Sequence, residues 1–380
     1  MQSEYPLQSS IVVISDLVEH QSWFSSDTRF APAVEQPEVV GGYLERLPLA
    51  AIRAGLCQRA EIWHHHHATE LATHHDGALT RRAFPISDAT APFHSDAMLE
   101  FVAQYGAPAI LCVWGLGVSE ALLEACRDSV IIYNSIDVPT LRVPEAVSAY
   151  FDLVLTGADW QSEVVATRHP GMATAVLPIG PEFAAPETFY PIAGEKLYDV
   201  VYVAAAQPYK RHDILFDALA RSPRPLKALC VMGYGEDGQR LRDEATVRGL
   251  DVDFVGPPGV SHDEVNRLIN QAKVGLVCGE NDGAPAILTE YMLAGLPVVA
   301  NAALKCGLQY ITPQTGIVAA ADSFEQGILA ALNHTGFSPR QTVLEHWAWP
   351  HSIAKLARLV DGINRSPLPV QIALHQGMSA

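Results

Sequence analysis

Between Val274 and Ala300 the chain passes from an apolar run, through Gly279-Glu-Asn-Asp-Gly-Ala-Pro285, into a helical stretch bearing Glu290, and out through Ala294-Gly-Leu-Pro-Val-Val-Ala300. Few architectures accommodate that order. Val274 to Cys278 reads as a buried strand. Asp282 suits a helix cap and Pro285 a first helical turn, while Gly295 and Pro297 stop the helix before a second strand at Val298. Two strands joined through one helix pair in parallel, and the first loop then lies at the carboxyl ends of the strands, where open α/β sheets bind ligands. A lone acid at such a place only complements the helix dipole. Here Asp282 and Glu290 stand with seven residues between them, on a loop that also carries Glu280, Gly283, Ala284 and Pro285.

The same alternation of short apolar runs and amphipathic stretches fills the chain, the pattern of a βα protein with mostly parallel sheets. In the first half strands are expected over 11–15, 109–114, 130–133, 153–155 and 175–177, with helices near 42–54, 96–105, 118–126 and 160–168. The second half predicts strands over 199–204, 228–232, 252–255, 274–278, 298–300 and 316–319, and helices near 210–221, 236–248, 262–271, 285–293 and 324–332. Each half suits one doubly wound domain, and 380 residues exceed what one core usually spans. The expected division is an N-terminal domain over 1–180, a proline- and glycine-rich linker over 181–197, a C-terminal domain over 198–345, and a final helix with a loosely held tail over 346–380.

A second ligand-bearing unit follows the strand at Val200: a short turn, then Lys210-Arg211 at the start of a helix. Exposed amides and the dipole at that point favour an anion, and an ammonium beside them completes a diphosphate cradle. Gly41-Gly42 ahead of the first helix, and Gly233 after the strand at Ala228, are turns where backbone can approach a phosphate.

The acid pair with its seven-residue spacing, followed by Ala-Gly-Leu-Pro-Val-Val, closely resembles the E-x7-E segment of retaining glycosyltransferases of family 4, the glycosyl transferases group 1. The resemblance is specific from about Tyr198 to Val360 and mostly positional before that. It implies the α/β GT-B fold, two Rossmann-like domains facing each other across a cleft, with a tryptophan-bearing C-terminal helix crossing back to the N-terminal domain. It further implies that Glu290 binds the nucleotide ribose, that Asp282 lies near the donor sugar with Glu280 as an alternative, and that Lys210 meets the diphosphate with Gly41, Gly42 and Gly233 nearby. The family pattern G-R-L-x-x-x-K-G departs here: Ala205 stands for its arginine, and Arg211, at its second glycine, is the candidate replacement cation. Where the family often has an N-domain histidine, this chain offers Asn134 or Asp137.

The function implied is transfer of a hexose-type sugar from a nucleotide donor, UDP or GDP being expected, to an acceptor with retention and without metal or further cofactor. A non-catalytic nucleotide-sugar binding subunit, and an epimerase or hydrolase of the same fold, are the alternatives. Charge narrows the partners: residues 1–190 carry a net −14 and residues 191–380 a net −3, which opposes nucleic acid and anionic membranes and favours a soluble acceptor. Homo-oligomerisation is left open. The six cysteines lack C-x-x-C spacing and read as reduced thiols of a cytoplasmic protein, and Met1 to Pro6 lacks a signal-peptide pattern. His64-His-His-His67 and His74-His75 invite a zinc reading, but no acid or cysteine stands at ligand spacing, so a solvated loop or acceptor-side lining is expected instead.

Overall fold

The computed structural model describes residues 6–17, 29–30 and 34–363. The extreme N-terminus and the tail beyond Ser366, both considered above, lie outside those residues. Two sheets form. The first holds β1 (Ser10–Leu17), β2 (Arg59–His66), β3 (Ala72–Asp76), β4 (Leu79–Pro85), β5 (Ile110–Trp114), β6 (Val130–Asn134), β7 (Leu153–Thr156) and β8 (Ala173–Val176), in the order β3-β4-β2-β1-β5-β6-β7-β8. The second holds β9 (Tyr198–Val203), β10 (Ala228–Val231), β11 (Val252–Val255), β12 (Ala272–Val277), β13 (Val298–Asn301) and β14 (Gly316–Ala319), in the order β11-β10-β9-β12-β13-β14. All neighbours are parallel except β3 and β4. Strands β5, β6 and β7 are buried along their whole length, as near-continuous apolar runs covered on both faces must be.

Each sheet is sandwiched between two apolar clusters. The final helix, Trp349–Asp361, does not stay with the second sheet: Ile353, Leu356 and Val360 enter the core of the first beside Leu47 and Ala50 of helix Tyr43–Arg53. Burying each of these aliphatic side chains stabilises that crossing by roughly 1.5–3 kcal/mol. Glu182 adds a polar anchor, accepting from the Ser352 hydroxyl at 2.9 Å and from Lys355 at 3.2 Å. In the segment expected as the linker, Phe183, Ala184, Ala185 and Phe189 are wholly buried after a turn of helix at Ile179–Glu182, whereas residues 190–197 are exposed.

The hairpin β3–β4 is an addition to the expected strands. Its two-residue turn is Gly77-Ala78, with Gly77 at φ +56 in a left-handed conformation that glycine accepts freely. The histidine run also differs from the expectation of a loop. His64, His65 and His66 lie inside β2 and are buried, since β2 is flanked by β1 and β4. His64 Nδ1 lies 2.6 Å from the Ser15 hydroxyl.

Burial lowers His64 and His65 to about 4, with Arg81 disfavouring the His64 cation further, and burial likewise lowers His212 to about 4. The unfolded chain, with histidines near 6.5, therefore takes up protons that these folded rings refuse. Their contribution is complete above that value and is lost as the pH falls from it towards 4, by on the order of 1 kcal/mol per pH unit per ring. The thermal midpoint is expected to drop between pH 7.5 and pH 5; a midpoint flat across that interval would show the rings to be solvated.

Candidate functional site

In the second sheet the strand order reverses between β9 and β12, so the loops leaving those two strands part to opposite sides and open a crevice at the carboxyl ends. The chain puts its polar chemistry there. The loop after β9 contributes Ala204, Ala205, Tyr209 and Lys210, and the loop after β12 contributes Asn281, Asp282, Gly283, Ala284 and Pro285. From the facing domain, Tyr43 and the loop after β6, Ile136 to Pro139, close a cleft of about 640 Å³.

Three glycines allow the two domains to meet this closely. A β-carbon on Gly157 would stand 2.0 Å from the Gly283 carbonyl oxygen, one on Gly283 would stand 2.4 Å from the Ile136 carbonyl oxygen, and one on Gly180 would stand 2.9 Å from that of Ala284. Around them, Trp160 Nε1 donates to the Lys305 carbonyl at 3.0 Å and Gln309 Nε2 to the Gly157 carbonyl at 2.8 Å. Gln161 holds the Asp137 carbonyl at 2.7 Å, and Asp137 itself accepts from Arg142 at 3.0 Å.

Lys210 sits in a 3-10 turn, Pro208–Lys210, whose carbonyl accepts the buried Tyr202 hydroxyl at 2.5 Å. The α-helix expected from residue 210 begins instead at His212, because Arg211 adopts the left-handed conformation at φ 54. That turn aims the two cations apart. Lys210 reaches into the cleft and pairs with Asp282. Arg211 turns out to Asp213, at 2.8 Å, and to Glu280. Neither Arg211 nor Glu280 is among the residues lining the cleft, whereas Lys210 and Asp282 both are. Among the described residues Lys210 is the one cationic side chain in the lining, and Ala205 stands there without a charge.

Asp282 caps no helix. Helix Ile287–Leu293 starts two residues beyond Pro285, so Asp282 remains on the loop with its carboxylate free to face Lys210. Glu290, on that helix, is almost wholly buried, does not line the cleft, and is turned towards the N-terminal domain, where Arg46 engages it at 2.5 Å. The helix is seated by its neighbour Tyr291, which packs where Gly275 leaves β12 without a side chain and accepts the Val203 N–H at 2.7 Å.

Gly41 and Gly42 stand apart from these lining residues. Neither lines the cleft; Gly41 borders a separate hollow with Arg81 and His262, and the Gly42 N–H is held by Glu45 at 2.9 Å. Gly233 does line the cleft, beside the exposed ring of Tyr234. Tyr43, Tyr234, Asn281 and Arg46 were not singled out from sequence. Only the position of Tyr234 between two glycines, and of Asn281 beside Asp282, offered a signal. All six cysteines are unpaired and buried. Among the described residues no helix is long and apolar enough to cross a membrane, and no group of three or more histidine, cysteine or acidic side chains is gathered to hold a metal ion.

Residues 190–336 match the model of the family described as glycosyl transferases group 1. No curated protein sequence matches the chain. Among solved structures it is similar to a sucrose-phosphate synthase from Thermosynechococcus elongatus, at 18% identity and a TM-score of 0.66 over 93% of this chain and 99% of that one. It is also similar to Anabaena HepE in complex with UDP and glucose, at 14% identity and a TM-score of 0.65 over 93% and 100%, and to a lipopolysaccharide outer core galactosyltransferase, at 14% identity and a TM-score of 0.63 over 93% and 99%. Two parallel α/β domains facing across a cleft, with these neighbours along nearly the whole chain, are the GT-B fold, and its second domain carries the match to glycosyl transferases group 1.

Proposed function

We infer that this chain is a glycosyltransferase that moves a hexose-type sugar from a nucleoside-diphosphate sugar to an acceptor with retention of anomeric configuration. The observation that carries the reading is the convergence of Lys210 and Asp282 from two different loops at the switch point of the second sheet. Breaking the anomeric bond develops negative charge on the departing diphosphate, and a fixed ammonium placed there stabilises it more in the transition state than in the ground state. The diphosphate takes over the ammonium that Asp282 engages, and the released carboxylate accepts from sugar hydroxyls. The acceptor proton then passes to the departing phosphate oxygen. Glu290, buried just behind the lining residues Ala286 and Ile287, is assigned to the ribose, the exposed Tyr234 ring to the base, and Asp137, across the cleft, to the acceptor side.

The similar Anabaena HepE is in complex with UDP, which makes a UDP-sugar the first donor to try. The acidic first half and the six unpaired cysteines favour a soluble small molecule or saccharide acceptor in a reducing compartment.

Asp282→Asn separates binding from chemistry. Since the substitution releases Lys210, affinity for the bare nucleoside diphosphate is expected to hold or tighten, while transfer falls by about 10²-fold as the sugar hydroxyls lose their acceptor. Glu280→Gln, engaged with Arg211 outside the cleft, is expected to leave both unchanged. Calorimetry and initial rates on the two variants decide this. Loss of transfer in Glu280→Gln with a silent Asp282→Asn would reverse the assignment, and unaltered transfer in both would put the sugar contacts on other residues.

A further inference from the structure

We propose that Arg46 is a positioning residue for the donor ribose, fixing the Glu290 carboxylate from the opposite domain so that holding the ribose and docking the domains become one event. The proposal rests on the reading of Glu290 given above. Arg46 lies on helix Tyr43–Arg53 within an otherwise apolar buried face, and its side chain has no exposed surface. A buried guanidinium is tolerated only when its donors are met. Here they are met from three places: Nε donates to the Gly41 carbonyl at 3.0 Å, one terminal nitrogen to the Gly180 carbonyl at 3.3 Å, and the other to Glu290 Oε1 at 2.5 Å. The Phe189 ring lies 5.5 Å below. The N-terminal domain, the interdomain segment and the donor domain thus converge on one side chain.

This arrangement also gives Gly41 a role different from a phosphate contact. Its φ of +84 turns its carbonyl towards Arg46, while its N–H is held by Thr188 at 3.1 Å. Glu290, for its part, keeps 11% of its side-chain surface exposed, and among the described residues its carboxylate accepts one hydrogen bond, at Oε1 from Arg46. A carboxylate locked through one oxygen presents the other at a fixed angle, which is what a vicinal diol needs in order to donate to it. Lysine supplies the charge but not the planar fork that reaches three acceptors together.

The test is calorimetric titration of the full-length protein with UDP, GDP and ADP and with their 2′,3′-dideoxy counterparts, in wild type, Arg46→Met and Arg46→Lys. Wild type is expected to prefer the ribonucleotide by about tenfold or more, since a site built to receive hydroxyls rejects the analogue that lacks them. Arg46→Met is expected to bind the dideoxy form as wild type does and to lose the preference, and Arg46→Lys to recover part of it. An undiminished ribose preference in Arg46→Met, or an equal loss for both forms, overturns the proposal and leaves Arg46 as a brace between domains. If Arg46→Met does not fold, Arg46→Lys carries the test through a narrowed preference. A wild type that binds nucleotide without any ribose preference overturns the reading of Glu290, and one that binds no nucleotide overturns the proposed function.

Discussion

Replacing Lys210 by alanine is expected to lower kcat by about 10²–10³-fold, the range seen when a preorganised donor to developing negative charge is removed. The size follows from the lining of the cleft, where Lys210 is the one cation among the described residues and Ala205 supplies none. With Arg211 committed to Asp213 and Glu280, no second guanidinium stands ready to replace it. Affinity for the nucleoside diphosphate falls as well, but less, because the ground-state phosphates are already solvated and carry their charge over several oxygens. Asp282 loses its partner in the same variant, so the pair Lys210→Ala and Asp282→Asn should be strongly non-additive. Steady-state rates and nucleotide titrations check this. An unchanged kcat would reduce Lys210 to a surface cation.

Gly283→Ala is expected to lower transfer by about 10²-fold while leaving each domain folded. The new methyl would lie 2.4 Å from the Ile136 carbonyl oxygen and 2.5 Å from the Asp137 carbonyl carbon, backbone atoms that no rotamer change can move aside. The domains have to part, and Asp137 withdraws from the Asp282 loop. A loss of about 10²-fold follows from misplacing reacting groups by an ångström. Gly157→Ala places its methyl against Gly283 itself, at 2.0 Å from the carbonyl oxygen, so it should produce the same opening, and the double substitution should add little. Small-angle scattering reads the separation, and thermal unfolding reads domain integrity. An alanine variant with wild-type rate and radius of gyration would show that the two domains need not meet at these glycines.

Much of this was legible because the second half is locally determined. The run from Val274 to Ala300 carries its own strand, stop and strand signals, and it folds as β12, a helix and β13. The final helix was legible from its apolar period, and its destination in the other domain's core came through the family resemblance. What eluded the sequence depends on long-range contacts. Whether Arg211 joins Lys210 is decided by a single left-handed residue and by two acids that draw it away. The placement of His64 to His66 within β2 is decided by strands on both sides, one of them part of a hairpin that turns at Gly77-Ala78. Arg46 reads as an ordinary helix residue until Glu290, 244 positions away, arrives beside it. The contacts of Gly41-Gly42 were equally out of reach: the Gly41 carbonyl accepts from Arg46 and the Gly42 N–H donates to Glu45.

The most direct measurement is nucleoside-diphosphate release from UDP- and GDP-hexoses, with and without a panel of soluble saccharide, small-molecule and glycolipid acceptors, the product's anomeric configuration being read by NMR. The account predicts release that depends on a soluble acceptor, an anomeric configuration matching the donor's, and loss of both product and release in Lys210→Ala. Release at the same rate without acceptor, inverted product, or turnover indifferent to Lys210 would contradict it.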